Sequence, residues 1–82
     1  MIKTNKVFEI IAKALQLDAA LISIEFSSDN AEEWDSLAHL TILLELDRHL
    51  DGKAGRINDL ATATSVRLIL EILKKHDLIS DD

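Results

Sequence analysis

Glu33, Trp34, Asp35, Ser36 and Leu37 (EWDSL) place a hydroxyl directly after a carboxylate, at the head of a leucine-rich stretch. Asp and Ser both favour the first positions of a helix, where a side-chain oxygen accepts amide hydrogens that have no carbonyl partner. Capping is the commoner use of such a pair. The same position has a second chemical use. First-turn amides and the positive end of the helix dipole favour a phosphate, so Ser36 can carry a phosphodiester with part of its charge compensated by backbone. The gain is about 0.3–1 kcal/mol at an exposed site, and Glu32, Glu33 and Asp35 work against it. The helix start therefore tolerates a modification that another protein must attach.

Three other constellations carry less. Ser36 and His39 are three apart and can meet on a helix, but a hydrolase also needs an orienting acid and an oxyanion hole. The chain has no glycine-flanked nucleophile turn, so His39 reads as a helix residue beside whatever Ser36 carries. The run 47–58 has Asp51 and Gly52 where a calcium loop has its fifth and sixth residues. Its third and twelfth residues, however, are His49 and Asn58, and a carboxylate is wanted at the twelfth. The stretch 52–56 (GKAGR) lacks phosphate-loop spacing and a leading strand; Lys53 and Arg56 read as solvated, as does His76.

The elements that must position Ser36 follow from apolar spacing. Val7, Ile10, Ile11, Ala14 and Leu15 lie on one helical face, which predicts a first helix over 4–16 capped by Thr4 or Asn5. Ile22, Ile24 and Phe26 alternate with polar residues, but no second strand is evident to pair with them. The segment 18–35 is therefore expected to be a long loop pinned by apolar side chains, and loops of that length usually have a function. The strongest helical signal runs over 37–50, uninterrupted by Gly or Pro and followed by Gly52. A short helical segment is expected over 57–63, with Asn58 as its cap. Ser65 then opens a last helix with Val66, Ile69, Leu70 and Leu73 on one face and Lys74, Lys75 and His76 in its final turn. From Ser80 the tail is polar and expected to fray.

The second helix carries more apolar surface than a small bundle can bury. Leu37, Leu40 and Leu44 form one stripe; Ile42, Leu43, Leu46 and Leu50 form another. Either the short third element covers the excess or one stripe is left for a partner.

Composition narrows the class. Eighty-two residues fit one domain over 1–82, and the absence of cysteine excludes disulfides and thiolate metal sites. Only Phe8, Phe26 and Trp34 are aromatic, so the core must be mainly aliphatic. Nine basic residues against fifteen acidic ones give a formal charge of −6. A field of that sign repels nucleic acid and anionic membrane and attracts basic protein patches. Glu9 and Lys13 interrupt the first apolar stretch, which is not the pattern of a signal peptide. No run approaches a membrane span. A monomeric, cytoplasmic protein is the expectation.

The run 34–40 (WDSLAHL), followed by 41–46 (TILLEL), resembles the Asp-Ser-Leu signature of acyl carrier proteins. The segment 59–66 (DLATATSV), leading into 69–73 (ILEIL), is similar to that family's third helix and the start of its fourth. The resemblance is specific from Trp34 onward and is one of pattern alone before it. It implies an all-α four-helix bundle with a long loop between helices 1 and 2 and a short third helix. It further implies that Ser36 is esterified by 4′-phosphopantetheine from coenzyme A, and that Asp35 helps position the phosphopantetheinyl transferase and its metal. The carrier itself would catalyse nothing. Acyl-loading and acyl-transferring enzymes would be its partners, meeting Leu37, Leu40, Thr41 and Leu44, with Glu45 and Asp47 flanking. A cavity between the helices would shelter an acyl chain.

The chain departs from the fatty-acid members of that family. Thr41, Arg48 and His49 stand where acid is frequent, and Trp34 replaces a small residue. A specialised lipid, polysaccharide or secondary-metabolite pathway is therefore expected. The alternatives are aminoacyl or peptidyl loading, although the glycines that usually precede the serine in peptidyl carriers are absent, and an unmodified acidic helical interaction module.

Overall fold

The computed structural model describes residues 1–80. Among these the architecture is all-α: α1 (Thr4–Leu15), α2 (Ser36–His49) and α3 (Val66–Lys75), joined by 3-10 turns at Ala19–Leu21, Ala54–Arg56 and Asn58–Thr62. The α-helices number three among the described residues, and the short helical segment expected over 57–63 is a five-residue 3-10 turn. Short 3-10 runs need few backbone hydrogen bonds and suit tight connections. Asn58 lies inside this turn, and Ile57 precedes it without a side-chain cap.

The core lies where one face of each helix converges. Val7, Ile10, Ile11 and Leu15 of α1 meet Ile42 and Leu46 of α2, and Val66, Ile69 and Leu73 of α3, with Leu60 of the 3-10 turn and Leu50 beside them. Each fully buried Leu or Ile contributes about 1.5–3 kcal/mol over its exposed state, so these residues fix which faces turn inward. Leu43 and Leu70 are only half-buried at the edge of this core.

The loop between α1 and α2 is anchored as well as pinned. Ile22 is buried and Phe26 half-buried, whereas Ile24 is exposed. The pairing partner missing from the sequence is the entrance to α3. Ser27 and Ser65 form an antiparallel bridge, in which Val66 N–H donates to the Phe26 carbonyl and Ser28 N–H to that of Thr64, both at 2.9 Å. Arg67 adds an ion pair to Glu25.

The ends correct two expectations. Neither Thr4 nor Asn5 caps α1; the N-cap is Lys3, with no side-chain bond. The Thr4 hydroxyl instead donates to the Ser80 carbonyl at 2.9 Å. Ser80 is not frayed. It pairs with Lys3 in a two-residue parallel ladder between β1 (Ile2–Lys3) and β2 (Ile79–Ser80). The rest of that tail, 81–82, lies outside the described residues. No helix among the described residues is long and apolar enough to cross a membrane.

Candidate functional site

Ser36 is the first residue of α2 and is exposed to solvent. Asp35 is the N-cap, and its Oδ1 accepts the Ala38 amide hydrogen at 2.8 Å while its carbonyl accepts that of His39 at 2.9 Å. The cap thus fixes the backbone on both sides of the serine. The Ser36 and Leu37 amides stand in the first turn, where the helix supplies no carbonyl for them. A hydroxyl at this place is accessible to an attaching enzyme, and the groups around it suit a phosphate in part, with Glu32, Glu33 and Asp35 exposed nearby.

Two buried rings lie beneath. Trp34 Nε1–H donates to His39 Nδ1 at 3.0 Å. Because Nδ1 accepts, the imidazole proton sits on Nε2, which donates to the Leu60 carbonyl at 2.9 Å. The rings stack with centroids 6.1 Å apart, and Phe26 extends the stack over Trp34 at 6.5 Å. His39 is a residue of α2 and shares a groove with Ser36, but its ring is already engaged. His39 is buried, and both its nitrogens are committed to holding the segment before α2 against the 3-10 turn at Asn58–Thr62. It has no free nitrogen with which to take a proton from Ser36, so the Ser36–His39 hydrolase arrangement is not formed.

Two grooves flank Ser36. One, of about 450 Å³, is lined by Ser28, Trp34, Asp35, Ser36, His39, Ala61 and Thr64. The other, of about 430 Å³, runs between α1 and α2 past Lys13, Gln16, Glu33, Asp35, Leu37 and Thr41. Ser28, Ala61 and Thr64 carry no signal in the sequence, because the loop is brought to the start of α3 by non-local contacts, the Ser27–Ser65 bridge and the Glu25–Arg67 ion pair.

The rest of α2 sorts into two faces. Ile42 and Leu46 are fully buried and Leu50, which caps the helix, nearly so. Leu37, Leu40 and Leu44 are 73%, 51% and 62% exposed. This second stripe spans about 10 Å along the helix. Thr41 sits beside it with its hydroxyl donating to the Leu37 carbonyl at 3.0 Å. Glu45 pairs within the helix with Arg48 at 3.7 Å and His49 at 3.9 Å. An i,i+3 or i,i+4 ion pair on a helix surface, such as Glu45–Arg48, is worth about 0.3–0.5 kcal/mol, little enough for a partner to replace. Asp47 has a different occupation: its Oδ1 accepts the Gly55 amide hydrogen at 2.6 Å and holds the turn after α2. A Cβ on Gly55 would stand 2.9 Å from that oxygen, so glycine permits the close approach.

Comparison with known proteins returns no match to a family model, a curated protein or a solved structure.

Proposed function

We propose that this chain is an acyl carrier protein, modified on Ser36 by 4′-phosphopantetheine and serving partner enzymes without catalysing a reaction itself. In this reading the 3-10 turn at Asn58–Thr62 takes the place of the short third helix of a four-helix carrier bundle. The observation that carries the proposal is the exposed Ser36 hydroxyl, fixed by its Asp35 cap at the head of a helix whose leucine stripe is left open. Asp35 and not Ser36 supplies the cap.

Attachment needs little from this chain beyond presentation. Ser36 Oγ attacks the phosphorus that joins the pantetheine half of coenzyme A to its adenosine half. One P–O bond forms, the pyrophosphate bond breaks, adenosine bisphosphate leaves, and the hydroxyl proton passes to a base of the transferase. The attached arm supplies a terminal thiol that holds acyl groups as thioesters, which a chain without cysteine cannot supply. Asp35 keeps Ser36 at the helix start and first-turn amides face the phosphate. Leu37, Leu40 and Leu44 offer apolar area worth about 1.5–3 kcal/mol per side chain when a partner buries it. The cytoplasmic setting belongs to the same proposal, as does the specialised pathway, which rests on Thr41, Arg48 and His49 where the fatty-acid members often carry acid and on Trp34 in place of a small residue.

The open stripe also fits an unmodified interaction module. Incubation of the purified chain with coenzyme A and a broad-specificity phosphopantetheinyl transferase separates the two. The carrier reading expects an intact mass raised by one phosphopantetheine; an unchanged mass with several competent transferases leaves the interaction module.

A further inference from the structure

The rings under Ser36 close one route and leave another open. The groove of about 450 Å³ beside Ser36 has Ser28 and Thr64 in its wall, and its floor is the Trp34–His39 pair. Trp34 and His39 are 4% and 7% exposed, and hydrogen bonds tie Trp34 to His39 and His39 to the Leu60 carbonyl. Ile42, Leu46, Leu60 and Ile69, of the same core cluster, are at most 1% exposed. The ring pair stands between this groove and the interior, so an alkyl chain taking that route displaces it. An indole N–H and a backbone carbonyl would then lose their partners in a buried setting, which is costly.

The groove itself offers hydroxyls and neither Lys nor Arg. Its volume lies in the range that accepts one small organic molecule, which suits the arm. Resting on the carrier reading, we propose that this groove is the resting place of the arm and that the Trp34–His39 pair bars the interior. The cargo class that follows is a short, polar, non-anionic acyl group, such as a hydroxyacyl or aminoacyl group, held at the open edge of the groove. A long alkyl chain would find little apolar surface in this groove beyond the Trp34 ring and Ala61. A second carboxylate on the cargo would meet Asp35 with no counter-charge in the groove wall. This assignment replaces the interior acyl cavity expected from the sequence.

The test uses the full chain loaded at Ser36 by a broad-specificity transferase from acetyl, β-hydroxybutyryl and octanoyl thioesters of coenzyme A. Two readouts are taken: NMR shifts of the Ile42, Leu46 and Ile69 methyls with the Ser28, Ala61 and Thr64 amides, and thioester cleavage by hydroxylamine relative to the free coenzyme A thioester. Loading is expected to move the Ser28, Ala61 and Thr64 amides. The three forms are expected to share core methyl shifts and to have relative cleavage rates within about twofold of one another. An octanoyl form whose core methyls move and whose cleavage is about tenfold slower overturns the cargo assignment and leaves the carrier reading standing. An unchanged mass with all three thioesters removes both.

Discussion

Asp35 and His39 divide the work around Ser36 between backbone and core. Asp35 acts through its cap on the Ala38 amide, so Asp35→Ala is expected to cost about 1 kcal/mol. Thermal melting should show this as a midpoint lowered by about 4–8 °C. His39 acts on two partners at once. His39→Leu fills the volume but orphans the Trp34 indole N–H and the Leu60 carbonyl, each worth about 1–3 kcal/mol when buried and unpaired. Urea unfolding of that variant is expected to show a loss of about 2–6 kcal/mol, well above the cap's. A loss within the range of an exposed substitution would mean that the relay holds nothing together. Asp35 was legible in the sequence because its role is local: Asp before a helical run is a cap signal. The burial of His39 was legible too, since His39, Ile42 and Leu46 share one face at helical spacing. Its partner Leu60 is twenty-one positions away and no periodicity links them.

At the scale of the element, α2 is a helix with two apolar faces and one interior. Spacing alone divides the two stripes, while which of them faces out was implied by the carrier resemblance: Ile42, Leu46 and Leu50 turn inward, Leu43 of the same stripe is only half-buried, and Leu37, Leu40 and Leu44 stay out. A paired comparison tests the division. Leu46→Ala is expected to cost about 2–5 kcal/mol as a core truncation. Leu40→Glu is expected to stay within about 0.5 kcal/mol of the parent in denaturant unfolding, while modification of Ser36 by a transferase slows. Equal destabilisation by both would place Leu40 in the packing rather than at a docking face. What spacing does not give is the conformation of short or non-local elements. The Asn58–Thr62 turn is too brief for periodicity to separate 3-10 from α. The β1–β2 ladder joins Ile2–Lys3 to Ile79–Ser80 through two residues each, far below the length at which a strand announces itself. The Ser27–Ser65 bridge depends likewise on where the whole chain brings the loop.

For the whole molecule, a net charge of −6, a helical core closed by the pairing of its ends and a single helix offering both a fixed serine and an open stripe combine into one account. In the proposed reading the acid near Ser36 would draw in a basic partner, the stripe would give it apolar area, and the serine would receive the arm. Because Ser36 is exposed, Ser36→Ala is expected to change unfolding stability by no more than about 0.5 kcal/mol, so loss of modification in that variant would report chemistry and not folding. The most direct measurement is fragmentation mass spectrometry of the chain after co-expression with a phosphopantetheinyl transferase. The chain offers other hydroxyls in Ser23, Ser27, Ser28, Ser65 and Ser80, and the account predicts a phosphopantetheine confined to Ser36 and absent from the Ser36→Ala variant. An unmodified chain, or an arm found on one of the other serines, would contradict it.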